Sequence, residues 1–187
     1  TATTEISTLS RHDALPIFYG KLFSPMLLKS GSTLDLNFGV RPLFEPDLVV
    51  TVKDEGINDA QTMLEVAQHL SQVIPFIELP DMVAPKEQPL LAGVIVALNV
   101  MARYGMLGEP AEVQATEAWV DAFTQMKVTL QADSGEVYDE VTGDVILGNP
   151  LNAVLWLIKT LNKRGHKLQA GQIISLGSLR KLHGMLA

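Results

Sequence analysis

Cysteine is absent from the 187 residues of this sequence. The absence excludes disulfides, thiolate metal sites and cysteine nucleophiles together. It does not decide the compartment, because a cysteine-free chain suits the cytoplasm and the periplasm equally. We expect a cytoplasmic protein, with the periplasm as the open alternative.

Positive charge and long apolar runs are also scarce. The 14 Lys and Arg against 21 Asp and Glu give a net charge of −7. Nucleic acid and anionic membranes select for a basic face, so neither is expected as a partner. The longest apolar run, residues 90–101, is too short to span a bilayer.

The composition that remains is that of a folded protein. Apolar residues make up 47% of the chain and charged residues 19%, and this length is enough for one domain with a sizeable core. Residues 1–15 are polar without a clear period and predict a loose N-terminal arm. Residues 16–187 are predicted to form a single domain.

Hydrophobic patterning predicts both strands and helices. Strands are predicted at 34–38, 44–52, 74–79, 103–107 and 172–176. Helices are predicted at 59–73, at 90–101 as a buried helix, and from Asn149-Pro150 to a stop at Gly165. Residues 119–132 and 137–146 are predicted to form a hairpin around Asp133-Ser-Gly135.

The strand at 44–52 carries two carboxylates that point to the same face. Alternation along a strand puts Glu45 and Asp47 roughly 7 Å apart at Cα. Glu78 lies inside a second apolar strand, where a carboxylate needs a partner to offset its desolvation. Three carboxylates are hard oxygen ligands, which favour Mg²⁺, Mn²⁺ or Ca²⁺ over zinc or copper. The alternatives are a solvated strand face for the pair and a simple salt bridge for Glu78.

Several motifs in order resemble a known family. They are Arg41-Pro-Leu-Phe-Glu45-Pro-Asp47, Pro75-Phe-Ile-Glu78-Leu-Pro-Asp81, Ala97-Leu-Asn99, Leu147-Gly-Asn-Pro-Leu-Asn-Ala-Val-Leu-Trp-Leu157 and Leu168-Gln-Ala-Gly-Gln-Ile-Ile-Ser-Leu-Gly177. Together they resemble the 2-keto-4-pentenoate hydratase branch of the fumarylacetoacetate hydrolase superfamily. The distinctive stretch is the one that leads into Trp156, and the resemblance covers most of the chain.

This resemblance implies an α+β fold, a mixed β-roll with flanking helices that is truncated at both ends relative to the family. Residues 16–187 would then form a single metal-binding, catalytic-type domain. It also implies a Mg²⁺ or Mn²⁺ held by Glu45, Asp47 and Glu78, and a small 2-keto acid as substrate. The implied reaction is hydration of a compound such as 2-hydroxypenta-2,4-dienoate. The alternatives are decarboxylation of a related 2-keto acid, hydrolysis of an acylpyruvate, or a catalytically impaired metal-binding remnant that lacks the family's N-terminal lysine segment.

Three further residues are candidates for the site. Asp81 is predicted to orient a metal-bound water or else to cap the turn at Pro80. Asn99 is predicted to reach the substrate or else to be a satisfied core amide. Arg41 is predicted to bind a substrate carboxylate or else to be an exposed residue beside a turn. We also expect a homo-oligomer, because an exposed sheet edge left by missing ends would pair with another chain.

Overall fold

The computed structural model describes residues 3–8, 17–179 and 182–184. In chain order the strands are β1 Thr3–Thr8, β2 Phe18–Phe23, β3 Leu27–Lys29, β4 Leu43–Val52, β5 Leu70–Leu79, β6 Tyr104–Leu107, β7 Ala111–Glu112, β8 Lys127–Gln131, β9 Val137–Thr142, β10 Ile173–Ser175 and β11 His183–Gly184. The α-helices are α1 Met63–Gln68, α2 Ala92–Ala97, α3 Glu117–Gln125 and α4 Leu151–Lys163. Short 3-10 turns lie at Ser24–Met26, Glu55–Asp59, Asn99–Met101 and Gly143–Val145.

Nine of these strands form one mixed sheet, which confirms the predicted α+β class. The strand order is β2-β1-β10-β4-β5-β6-β3, with β11 also paired to β4 and β7 to β5. The pairs β1–β10 and β3–β6 are parallel, and the other pairs are antiparallel. Strands β8 and β9 form a separate antiparallel hairpin.

The two long strands at the centre of the sheet, β4 and β5, separate two apolar clusters. Alternate residues of β4, including Leu48, Val50 and Val52, pack with α1, α3 and α4 in the larger cluster. Val49, between them, belongs to a smaller cluster on the opposite face, which contains Phe76 of β5. Because side chains alternate along a strand, Glu45 and Asp47 share the face of Val49, away from the helices.

The helix predicted at 59–73 is shorter than expected and begins later. Thr62 caps α1: its hydroxyl accepts from the Glu65 backbone N–H at 3.2 Å, and the Glu65 carboxylate accepts from the Thr62 N–H at 3.0 Å. This capping box fixes the start of the helix. The chain from Leu70 onward pairs with β4 instead of continuing the helix, because the tertiary partner outweighs a weak local preference.

The prediction of a buried helix at 90–101 is wrong in length and in burial. Only Ala92–Ala97 is α-helical, and the side chains of Leu91 and Val96 are 65% and 56% exposed. Positive φ angles at Asn99, Val100 and Met101, between 51° and 63°, then turn the chain out of the helix. A short apolar run does not by itself specify burial, since the rest of the sheet decides which face is covered.

Two other predicted strands differ from the structure. Residues 34–38 form turns and bends instead of a strand. The first arm of the predicted hairpin is mostly helix, because Thr116 caps α3 by accepting from the Trp119 N–H. The hairpin itself is present, as Lys127–Gln131 paired with Val137–Thr142.

The helix predicted after Asn149 is confirmed. The side chain of Asn149 accepts from the Leu151 N–H at 2.9 Å, and α4 runs through Lys163 with Gly165 in the left-handed region just beyond. Glycine at that position ends a helix without strain.

The segment predicted as a loose arm is in part a strand. Thr3–Thr8 pair antiparallel with β2, and Glu5 and Ile6 pair parallel with β10. Threonine and isoleucine favour extended backbone, and at Glu5 and Ile6 the strand is paired on both sides. The rest of the arm, residues 1–2 and 9–15, lies outside the described residues. Among the helices that the structure describes, none combines the length and the apolar character that crossing a bilayer requires.

Candidate functional site

The three carboxylates singled out in the sequence lie together on one face of the central strands. Glu45 of β4 and Glu78 of β5 are direct cross-strand partners, and Asp47 lies two residues along β4, opposite Phe76. Glu45 is 5% exposed, and Asp47 and Glu78 are each 1% exposed. The alternative of a solvated strand face is therefore excluded.

Two of the three carboxylates are hydrogen-bonded by the chain. The Asp47 carboxylate accepts hydrogen bonds from the Ser175 hydroxyl and from the Leu48 N–H. It also accepts one from the Gly177 N–H. Glu45 accepts from the Ser178 hydroxyl. Buried carboxylates satisfied in this way are held in a defined position.

Glu78 is different, because no N–H or O–H donor of the described residues reaches either of its carboxylate oxygens. Its polar neighbour is the carboxyl group of Glu45, to which it donates when protonated. Two ionised carboxylates make no such bond, so Glu78 is either protonated or in need of a positive partner.

The pKa values of the three groups reflect this burial. Desolvation raises the pKa of Glu45 to about 7, against the lowering effect of the Ser178 hydrogen bond. Desolvation also raises the pKa of Asp47 to about 7, with the Ser175 hydrogen bond opposing it and the charge of Glu45 adding to it. The pKa of Glu78 lies well above its usual value because of desolvation and the negative charges of Glu45 and Asp47. The cluster strongly favours added positive charge, either protons or a cation.

The donor set fits a hard divalent cation by its chemistry. The residues supply carboxylate oxygens without thiolates, which suits Mg²⁺ or Mn²⁺. Buried Glu78, with two oxygens that lack donors, is a group that a cation would satisfy. In the part of the chain that the structure describes, no three His, Cys, Asp or Glu side chains are grouped closely enough to hold a metal ion as they stand. The fit to a cation therefore rests on the chemistry of the buried carboxylates and on the two Glu78 oxygens that lack donors.

Asp81, predicted as a catalytic residue, uses both of its oxygens on a neighbouring turn. They accept from the Val40 N–H at 3.0 Å and the Arg41 N–H at 2.8 Å. A Cβ on Gly39 would lie 2.4 Å from this carboxylate, so the close approach requires glycine. The carboxylate thus caps the turn before β4 and not the turn at Pro80, and the catalytic role of Asp81 stays a prediction.

Asn99 is hydrogen-bonded to the backbone of β2. Its amide nitrogen donates to the Lys21 carbonyl and its amide oxygen accepts from the Lys21 N–H, each at 2.8 Å. These bonds match the alternative of a satisfied amide and join the turn after α2 to the sheet. The predicted contact of Asn99 with substrate stays a prediction.

Arg41 does not present its guanidinium to the carboxylate cluster. The group donates to the carbonyl oxygens of Met82 at 3.2 Å and Ala84 at 2.7 Å. These bonds tie the turn before β4 to the loop after β5, so Arg41 supports the end of the β4–β5 pair.

Sequence reasoning missed the residues that surround the carboxylates. Ser175 is fully buried at the end of an otherwise apolar strand, and a hydroxyl inside such a run was the available signal. His183 is a second residue of this kind, and its side chain is half-buried. It contacts the carboxylate of buried Asp139, and its charge lowers the pKa of Glu45. The sequence near either residue does not predict the contact between His183 and Asp139, because β11 and β9 are far apart in the chain.

Comparison with known proteins gives relatives of one kind. No protein-family model matches the chain. A curated 2-keto-4-pentenoate hydratase from Burkholderia vietnamiensis is 25% identical over 162 residues, which are 86% of this chain and 59% of that protein. A 4-oxalocrotonate decarboxylase from Pseudomonas putida is 24% identical over 161 residues, with the same shares of the two chains. The chain thus spans less than two thirds of the length of these relatives.

The fold comparison agrees. The structure of 4-oxalocrotonate decarboxylase from Pseudomonas putida G7, complexed with magnesium and adipate, matches with a TM-score of 0.80 at 21% sequence identity. The match covers 100% of this chain and 71% of that one. The resemblance in the sequence is confirmed as a similarity: 86% of the chain aligns with curated 2-keto-4-pentenoate hydratases. Its fold also matches a putative fumarylacetoacetate hydrolase family protein from Yersinia pestis CO92, with a TM-score of 0.64 at 16% sequence identity over 100% of this chain and 84% of that one.

Proposed function

We propose that this chain carries the metal-binding core of a divalent-cation-dependent lyase that acts on a small 2-keto acid. The reaction is addition of water to 2-hydroxypenta-2,4-dienoate, which gives 4-hydroxy-2-oxopentanoate. One observation supports the proposal above others: three buried carboxylates meet on two paired strands, and Glu78 among them has no hydrogen-bond donor.

Glu45, Asp47 and Glu78 would hold the cation, which is Mg²⁺ or Mn²⁺ by the chemistry of the ligands. When bound, such a cation stabilises the negative charge that develops on the keto oxygen of the substrate. The hydroxyls of Ser175 and Ser178 keep the two β4 carboxylates in place during this change of charge. Glu78, whose oxygens lack hydrogen-bond donors, would complete the set of oxygen ligands beside Glu45 and would have to be ionised to do so.

Decarboxylation is the second candidate, because one of the sequence relatives is a 4-oxalocrotonate decarboxylase. Hydration and decarboxylation share the same requirement, which is stabilisation of an enolate formed from a 2-keto acid. The three acidic residues serve either reaction equally.

The test uses the purified chain, stripped of metal by EDTA and then supplied with Mg²⁺ or Mn²⁺. Loss of 2-hydroxypenta-2,4-dienoate and appearance of the hydrated product are followed by chromatography, and release of carbon dioxide from an oxalocrotonate-type diacid is followed in parallel. Cation-dependent hydration supports the proposal, whereas carbon dioxide release alone favours the second candidate. Turnover that persists in EDTA would overturn both.

A titration with Mn²⁺ separates a catalyst from a non-catalytic metal-binding protein. Binding of one Mn²⁺ per chain without turnover of either substrate supports the remnant alternative. Absence of both binding and turnover would contradict the metal site itself. The matched control for the site is Glu112→Gln, a carboxylate on the exposed strand β7, which should leave Mn²⁺ binding intact.

A further inference from the structure

The segment that follows β10 runs alongside the two carboxylates of β4. The Leu176 N–H donates to the Leu48 carbonyl at 2.8 Å, and the Leu179 N–H donates to the Pro46 carbonyl at 3.1 Å. These backbone bonds continue the antiparallel pairing of β10 with β4 beyond the end of the strand. The segment 175–179 is therefore held in a fixed register against the strand that carries the acidic pair.

In this register, three donors of the segment 175–179 form hydrogen bonds with the carboxylates of Asp47 and Glu45. The Ser175 hydroxyl and the Gly177 N–H serve Asp47, and the Ser178 hydroxyl serves Glu45. Gly177 has a φ of 99°, a conformation that glycine adopts freely and that residues with a Cβ rarely adopt. The positive φ lets the chain bulge between the two serines while both hydroxyls stay on the same carboxylate pair.

The third carboxylate has no counterpart to these donors. Glu78 approaches the cluster from β5, and no N–H or O–H of the described residues bonds to its oxygens. The carboxylates of Glu45 and Asp47 are thus held by hydroxyl groups, whereas no donor of the described residues holds the carboxylate of Glu78. Such an arrangement suits a site in which two ligands are preorganised and a third completes the set.

We propose that Ser175 and Ser178 are positioning residues that orient Asp47 and Glu45 for a divalent cation. The inference rests on the proposed function, since it assigns the two hydroxyls to the same carboxylate site. Hydrogen bonds to ligating carboxylates fix the direction of their free oxygens, and their loss typically lowers metal affinity by about 10–100-fold. Neither serine needs to touch the cation or the substrate for this effect.

The test compares Ser175→Ala and Ser178→Ala with a matched control, Ser71→Ala. Ser71 is on β5, seven positions before Glu78, and its hydroxyl lies 3.4 Å from the Thr51 carbonyl oxygen. Binding of Mn²⁺ to the intact chain is measured from the electron paramagnetic resonance signal of the free ion. We expect each site variant to bind Mn²⁺ about 10–100-fold more weakly and the control to bind as the wild type does.

A second measurement separates positioning from general stability. Thermal unfolding of the metal-free variants is recorded beside the titration, and Ser178→Thr is included because it keeps a hydroxyl at a half-buried position. Recovery of wild-type affinity in Ser178→Thr, together with loss in Ser178→Ala at a similar unfolding temperature, supports the inference. Ser178→Ala also keeps the test decisive if the fully buried Ser175 variant does not fold.

The outcomes that overturn the inference differ from those that overturn the proposed function. If the wild type binds Mn²⁺ and both alanine variants bind it equally well, Ser175 and Ser178 do not position the ligands. If Ser71→Ala loses as much affinity as the site variants, the effect is one of overall stability and the inference fails. If the wild type itself binds no Mn²⁺, the proposed metal site is wrong and the positioning role falls with it.

Discussion

Glu45 and Glu78 face each other as direct cross-strand partners on β4 and β5, and each is almost fully buried. Like charges at directly opposite positions destabilise an antiparallel pair. Burial strengthens the repulsion, because the surrounding protein screens charge poorly. The strand pair therefore needs either a proton or a cation between these two side chains, and this requirement leads to the first predictions.

Replacement of Glu78 by glutamine should have opposite effects on metal binding and on stability. Affinity for Mn²⁺ should fall by more than the roughly 10–100-fold typical of residues that only support a ligand. The metal-free protein at pH 8 should become more stable by about 1.5–3 kcal/mol, because folding no longer has to bury an acidic group that is ionised in the unfolded chain, and the neutral amide can donate to Glu45. Mn²⁺ titration and urea unfolding measure the two effects.

Glu112→Gln, at the exposed strand β7, is the control for this pair of measurements and should change neither quantity. A Glu78→Gln protein that binds Mn²⁺ like the wild type would exclude Glu78 as a ligand. A destabilised metal-free variant would show that Glu78 has a favourable partner in the native state.

Stability of the metal-free protein should fall as the pH rises from about 4.5 to above 7. The pKa of Glu45 is raised from 4.5 to about 7, so the native state holds a proton that the unfolded chain has already released. The stabilising contribution is complete below the unfolded pKa and is lost as the pH passes the folded pKa. For Glu45 alone the loss is on the order of 3 kcal/mol, and Asp47 acts in the same direction.

Urea unfolding in EDTA at several pH values between 5 and 8 measures this loss. Saturating Mg²⁺ or Mn²⁺ should flatten the dependence, because a bound cation replaces the protons. A stability that rises over this range in EDTA would contradict the raised pKa values of the acidic cluster.

Asp81→Asn should lower stability by about 1–3 kcal/mol and leave Mn²⁺ affinity unchanged. The substitution weakens the acceptor for the Val40 and Arg41 N–H groups, which are partly buried. Urea unfolding and Mn²⁺ titration of the same preparation provide the comparison. Normal stability combined with lost activity would instead favour the catalytic role that the sequence predicts for Asp81.

Two substitutions of Asn99 separate the contribution of its side-chain hydrogen bonds to stability from the contribution of its backbone conformation. Asn99→Gly keeps easy access to the φ of 51° but loses both hydrogen bonds to Lys21. Asn99→Ala loses the same bonds and adds about 1–2 kcal/mol for the left-handed conformation. We expect urea unfolding to rank the proteins as wild type, Asn99→Gly and Asn99→Ala in decreasing stability. Equal stability of all three would show that these contacts contribute nothing.

More of the acidic site than of the surrounding fold could be predicted from the sequence. Glu45 and Asp47 share a face because strand alternation is a local rule, and Glu78 was conspicuous because a carboxylate interrupts an apolar run. The register that puts Glu78 opposite Glu45 is a property of the paired strands. Ser175 and Ser178 could not be assigned for the same reason, since their partners lie about 130 residues earlier in the chain.

The elements that were predicted wrongly share a cause. The helix expected at 59–73 gives way at Leu70 because β4 offers a partner for the backbone, and the helix expected to be buried at 90–101 lies on a face that the described chain leaves open. Neither fact is encoded within a window of a few residues. In contrast, α4 is capped by Asn149 and stopped near Gly165, and both signals are local.

The sequence by itself determined the strands and helices that local signals specify, the three acidic residues and the preference of their carboxylate oxygens for hard cations. Strand periodicity, helix capping and oxygen chemistry are properties of short stretches and single side chains. Only the tertiary structure decided that the three carboxylates meet and that Glu78 is left without a donor. It also decided that two serines from a distant segment hold the other two carboxylates. Those relations depend on the register of strands far apart in the chain, which is set when the whole sheet assembles around its two apolar clusters.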